Sequence, residues 1–146
     1  MIKKINNYFL FFLILILFLF ATFGYQSIAE TLLYADDISY DKDGNIIAKG
    51  KAKIINENKI IFSDLIIYSK DKGEIILPLE FTLKGEKNNY YSGSNGYFKK
   101  NLDYGTINDV KVLLDDGSRI VGKKAKRDGN IDIITKAVYS PCSSRI

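Results

Sequence analysis

Histidine is absent from this 146-residue chain, and cysteine occurs once. The first absence removes the commonest general base and metal ligand. No Ser-His-Asp or Cys-His arrangement can be assembled without it. Zinc needs several Cys or His ligands and would find a single thiol. A glycine-rich phosphate loop is missing too. Beyond residue 30, no stretch carries apolar residues at the helical period of ~3.6 over a window of about 11 residues. Asp41, Asp43 and Gly44 resemble the opening of a calcium loop, but the glycine comes early and Ala52 stands where a bidentate Glu is required. Asp36 and Asp37 are neighbours on a strand, so they point to opposite faces and cannot converge as an acid/base pair. Asp115 and Asp116 belong to a turn. The expectation is a protein that is not an enzyme and holds no metal or cofactor.

Charge of one sign is also scarce. The chain has 21 Lys and Arg against 17 Asp and Glu. Nucleic-acid binders concentrate basic residues in a patch, and this balance argues against one. The local cluster Lys123, Lys124, Lys126 and Arg127 is either a solvated strand end beside the Asp128-Gly-Asn130 turn or a set of cations able to meet lipid phosphates.

The start of the chain is different in kind. Lys3 and Lys4 precede an apolar run from Tyr8 to Phe23, and Ser27, Ile28 and Ala29 follow it. Charged start, short apolar middle and small-residue exit describe a secretory signal helix, residues 1–29, cut after Ala29. The alternative is an uncleaved membrane anchor, but the run is at or below the length that spans a ~30 Å hydrocarbon core. Residues 30–146 would then form one domain of 19 basic and 17 acidic residues. No cysteine sits near the cut to make a lipoprotein. Cys142, near the other end, is either a half of a disulfide whose partner lies elsewhere or an unpaired thiol.

The rest of the chain alternates. Ile46, Ala48, Gly50, Ala52 and Ile54 fall on every second position, with Lys49, Lys51 and Lys53 between them, which is the pattern of a half-buried strand. Asp41-Lys-Asp-Gly-Asn45 in front is turn chemistry, so Tyr34–Tyr40 and Ile46–Ile55 form a hairpin. Ser63-Asp-Leu-Ile-Ile-Tyr68 repeats Ala35-Asp-Asp-Ile-Ser-Tyr40 at an offset of 28 residues, again followed by a polar turn and an alternating run, Ile75, Leu77, Leu79, Phe81 and Leu83. Asn88–Lys100 is an irregular strand with a bulge or loop at Gly93–Gly96. Tyr104 to Leu114, Ser118 to Arg127 and Ile131 to Tyr139 are further strands separated by Asp/Gly turns. The fold class is all-β, about eight antiparallel strands. One greasy face per strand requires the sheet to fold over on itself or stack on another. The end strands would present unpaired N–H and C=O groups.

The pattern Ala35-Asp36-x-x-x-Tyr40, a Gly-containing turn, Ala48-x-Gly50-x-Ala52-x-Ile54, then Ser63-Asp64-x-x-x-Tyr68 resembles the lipopolysaccharide-transport β-domains. These organic-solvent-tolerance-like domains are shared by LptA, LptC and the N-terminal part of LptD. The ending Ala137-Val-Tyr-Ser-Pro-Cys142 is similar to the LptD branch in particular. Pro78 departs from the pattern and suits an edge or bulge. The branch also continues into a large barrel where this sequence stops at Ile146, so the expectation is a fragment, or a barrel supplied by a separate chain.

The resemblance implies a jellyroll-like folded sheet in the periplasm, associated with the outer membrane of a Gram-negative bacterium. It implies lipopolysaccharide as ligand, with lipid A acyl chains in an apolar groove, and edge-to-edge docking with a bridge protein of the LptA type. The groove residues would be Ile46, Ala48, Ile54, Ile60, Phe62, Ile66, Ile75, Leu77, Leu79, Phe81 and Leu83, and Cys142 would be the disulfide candidate. Shielding is physically worthwhile, since a twelve-carbon chain in water costs about 10 kcal/mol at ~0.8 kcal/mol per CH₂. The same spacing fits the ordinary core of a non-catalytic β-sandwich or solenoid module, and an intact N-terminal helix would fit an LptC-like anchored component.

Overall fold

A computed structural model describes residues 31–99, 101–129 and 131–141. The expected signal helix and Cys142 lie outside the described residues. The strands are β1 (Thr31–Tyr34), β2 (Asp37–Tyr40), β3 (Ile46–Asn56), β4 (Lys59–Ser69), β5 (Glu74–Leu77), β6 (Phe81–Lys84), β7 (Tyr90–Lys99), β8 (Tyr104–Leu113), β9 (Arg119–Asp128), β10 (Ile131–Thr135) and β11 (Val138–Ser140). A single 3₁₀ turn, Glu86–Asn88, joins β6 to β7.

All eleven strands belong to one antiparallel sheet whose main path is β1-β3-β4-β5-β7-β8-β9-β10. The surplus over the expected eight has a simple origin. β1 and β2 pair with successive parts of β3. β5 and β6 lie end to end between β4 and β7. β10 and β11 pair with successive parts of β9. Three rows of an eight-row meander are therefore interrupted, and the expected strand count holds for the rows.

The turns form as their residues dictate. Asp41 accepts backbone hydrogen bonds from Asp43 and Asn45, each 2.9 Å, and one from the Asn45 amide at 2.8 Å. This closes the hairpin expected there. Asp116 does the same work at the turn between β8 and β9, accepting from the Ser118 N–H and hydroxyl at 2.8 and 2.6 Å. In both turns these bonds hold the carboxylate pKa below its ordinary value.

Irregularities in the rows fall at one level. Ala35 and Asp36 separate β1 from β2. Opposite them, Gly50 (φ 74°) and Lys51 (φ 45°) carry a bulge, where the β3–β4 register jumps from Lys49↔Leu65 to Ala52↔Ser63. Pro78 lies in the gap between β5 and β6, which it fits because it lacks a ladder donor. β7 slips against β8 between Ser92 and Tyr97, within the region expected to bulge. Asp109 in β8 and Lys136 between β10 and β11 have positive φ. The register places these breaks side by side, and bulges bend strands. They form a crease running across the strands, and the sheet folds over along it.

Contacts between the two half-sheets confirm the closure. Phe81, on one side of the crease, meets Phe98, on the other, edge to face at 6.0 Å. Lys59 Nζ lies 3.0 Å from Asp103 Oδ1, although the first begins β4 and the second follows β7. Between the halves sits one apolar core in which Ile54, Ile61, Ile66, Ile75, Leu77, Leu83, Phe98, Leu102 and Val110 are sealed from solvent. The architecture is a folded-over antiparallel sheet, one of the two closures the alternation allowed.

Candidate functional site

Residues directly opposite in an antiparallel ladder point to the same face, so the register identifies the inner surface. Ile46 faces Tyr68, Ala48 faces Ile66, Ile54 faces Ile61, and Leu83 lies between Ile61 and Tyr91. Of the residues expected to line a groove, Ala48, Ile54, Ile66, Ile75, Leu77, Phe81 and Leu83 are buried together, with Ile46 packed against them. Three are placed elsewhere. Ile60 pairs with Ile55 and Lys84 on the outer face. Phe62 is on that face as well, 45% exposed, and Leu79 is 47% exposed in the gap between β5 and β6. The reason is the crease. Alternation carried back from Ile66 predicts Ile60 and Phe62 inside, but the irregularity at Asp64 and Leu65 shifts the inward set to Ile61 and Ser63. Sequence reasoning also missed Phe98, Leu102, Ile107, Val110, Val112 and Ala125 as parts of the same interior. Alternation in Tyr104–Leu114 carried that signal for Val110 and Val112.

The inner face does not stop at the core. Ile38, opposite buried Ala48, is 47% exposed, and Tyr40, opposite Ile46, is 73% exposed. At the far edge Tyr139 lies opposite Ile120 and is 58% exposed. Among the described residues neither edge row has a ladder partner on its outer side. The apolar surface thus runs from one open edge to the other. Ile131 and Ile133 face outward, while Ile134 packs inward opposite Ala125.

Away from the crease, polar groups close the lips of the fold. Arg127 donates from Nε and Nη2 to the two carboxylate oxygens of Asp132, both at 2.7 Å. The Tyr91 hydroxyl, from the opposite half-sheet, donates to Asp132 Oδ2 at 3.3 Å, and the guanidinium lies 5.1 Å from the Tyr91 ring centre. The Asp132 hydrogen bonds raise the Arg127 pKa above its ordinary value against the opposing effect of burial. Burial is the main cause that raises that of Tyr91, and the Asp132 charge adds to it.

Two spaces meet at this clasp. Beneath it, Leu83, Phe98, Ile107, Ala125 and Ile134 surround an apolar slot of about 20 Å³, room for roughly one water. Above it, a cleft of about 230 Å³ is lined by Lys59, Lys87, Asn89, Asp103, Gly129 and the clasp residues. A larger cleft, about 570 Å³, lies on the outer face over the crease, with Phe62, Lys51, Asp64 and Lys111 in its wall. Among the described residues no group of three His, Cys, Asp or Glu is placed to hold a metal ion, and no helix is long and apolar enough to cross a membrane.

No family model and no curated relative matches the chain. Solved structures do match. One is that of LptH, the LptA-homologous periplasmic component of the conserved lipopolysaccharide transport device from Pseudomonas aeruginosa. It is 12% identical, with a TM-score of 0.59, over 73% of this chain and 82% of that one. At that identity the likeness is one of fold: this chain has the folded-over antiparallel sheet of that structure.

Proposed function

We propose that this protein is a lipopolysaccharide-transport domain whose folded sheet shields lipid A acyl chains during passage to the outer membrane. The observation that carries this is the inner apolar face, continuous from the Ile38 edge to the Tyr139 edge, on a sheet with two unpaired edge rows. A sandwich that served only as a scaffold would have no need to extend its greasy face to open ends. The fold shared with LptH supports the same reading. In it, residues 1–29 direct export and residues 30–146 work in the periplasm. The edge rows dock with a bridge protein of the LptA type by strand addition. The LptD-like ending allies the domain with barrel-linked members of that branch, with Cys142 available for a disulfide.

A second reading, a plain structural or interaction module, draws on the packed centre, where the slot holds about 20 Å³. Photocrosslinking separates the two. A photoreactive side chain at Ile38, Ile46 or Ile75 should capture lipid A, and one at Lys49 or Lys53 should not. Crosslinks confined to the lysine positions, or none at any position, would reject the transport reading.

A further inference from the structure

Acyl chains have no charge, yet the lips of this fold carry three cations at the entrance to its apolar slot. Lys59 and Arg127 are mostly buried, their side chains 14% and 17% exposed, and Lys87 completes the set in the same cleft. Buried cations need partners, and two of these have one: Lys59 is held by Asp103 and Arg127 by Asp132. Among the described residues, the cleft wall carries three basic side chains and two acidic ones. Tyr91, Arg127 and Asp132 line both the cleft and the slot, so they form the partition between polar space and apolar space. They set a cationic space above an apolar one, the order of an amphiphile's head and chain, and the slot of about 20 Å³ must widen to admit the chain.

Resting on the lipid reading, we propose that the cleft of Lys59, Lys87 and Arg127 is a head-group site for a phosphorylated acyl amphiphile, whose phosphate replaces Asp132 on Arg127 and so opens the slot beneath. The chemistry favours phosphate. Arg127 already presents Nε and Nη2 as a fork to two oxygens, and a phosphate accepts that fork with the same geometry and a greater charge. Lys59 and Lys87 supply further point charges. Once Asp132 leaves Arg127, its bond to Tyr91 across the two half-sheets has lost its anchor. The lips then part at the place where the chain must enter. Nothing covalent changes; one anion is exchanged for another.

The test uses the full chain, titrated calorimetrically with dodecyl phosphate, dodecyl maltoside and inorganic phosphate, the amphiphiles below their micelle-forming concentrations. Dodecyl phosphate should bind at least about ten-fold more tightly than dodecyl maltoside. Lys87→Gln should shrink that ratio and leave maltoside binding within about two-fold, whereas Arg127→Gln, which also breaks the clasp, should shrink it by weakening dodecyl phosphate and strengthening maltoside binding. Lys87 is exposed and outside the core, so its variant folds whatever happens to Arg127→Gln. Asp132→Asn should strengthen binding of both amphiphiles. Equal affinity for the two amphiphiles, unchanged by Arg127→Gln and Lys87→Gln, would overturn the head-group site and leave the lipid reading standing. Inorganic phosphate binding as tightly as dodecyl phosphate would overturn it in favour of a free-phosphate site. Failure of both amphiphiles to bind would remove the lipid reading itself.

Discussion

Two neighbouring residues of β4 offer a sharp test of where the crease puts the inner face. Ile61 is wholly buried between Ile54 and Leu83, and Phe62, the next residue, is 45% exposed on the outer face. Replacing a buried isoleucine by alanine costs about 2–5 kcal/mol, the lost transfer energy plus the cavity left behind. Ile61 touches the core on both sides, so Ile61→Ala should cost about 3–4 kcal/mol. Full burial of a Phe side chain contributes roughly 1.5–3 kcal/mol. With about half of the ring already in water, Phe62→Ala should cost only about 1 kcal/mol, including its loss of strand propensity. The ratio inverts the order expected from side-chain size. Urea unfolding of the two variants, compared at unchanged m-value, measures it. If Phe62→Ala were the more costly, the register of β4 across the crease would be wrong, and with it the assignment of inside and outside.

Other consequences follow from single contacts. A Cβ on Gly105 would lie 2.4 Å from Phe98 Cδ1 and 2.5 Å from the Tyr97 carbonyl oxygen. Gly105→Ala should therefore destabilise by about 1–3 kcal/mol, read as a lower unfolding temperature. Asp41 has its folded-state pKa lowered, chiefly by the Asn45 side-chain hydrogen bond. Its stabilisation is complete above the unfolded-state value and is lost as pH falls through the folded-state one. Asp41→Asn should flatten the acid limb of the stability profile, and an unchanged limb would contradict the turn geometry. The hydrogen bond from the Tyr97 hydroxyl to Glu74 (2.8 Å) is the main cause that raises the Tyr97 pKa. Its stabilisation is present below the unfolded-state value and is lost as pH rises through the folded-state one. In an alkaline NMR titration Tyr97 should ionise after the ordinary tyrosines, and Glu74→Ala should bring it back among them.

Local chemistry made much of the fold legible. The Asp41 and Asp116 turns, the alternation of β3 and the eight rows all follow from short-range pattern, because turn residues and period-two burial act within a few residues. The crease was harder to see. It arises from breaks in separate rows that only pairing brings to one level. The 28-residue repeat marks it indirectly, since Asp36 and Asp64, its equivalent residues, stand where the β1/β2 row and β4 cross the crease. Strict alternation carried through Asp64 is what put Ile60 and Phe62 on the wrong side. The clasp was half legible. Arg127 belonged to a noted basic cluster, but its partners Tyr91 and Asp132 lie 36 residues before it and five after it in the sequence. No spacing rule joins them.

The account turns on acyl chains entering between the two half-sheets, and nitroxide broadening reports that directly. A lipid A analogue with a nitroxide midway along one acyl chain should broaden the methyl NMR signals of Ile66, Ile75 and Leu83. Those of Ile131 and Ile133 on the outer face should stay sharp. Broadening confined to the outer methyls, with the interior unchanged at saturating lipid, would contradict it.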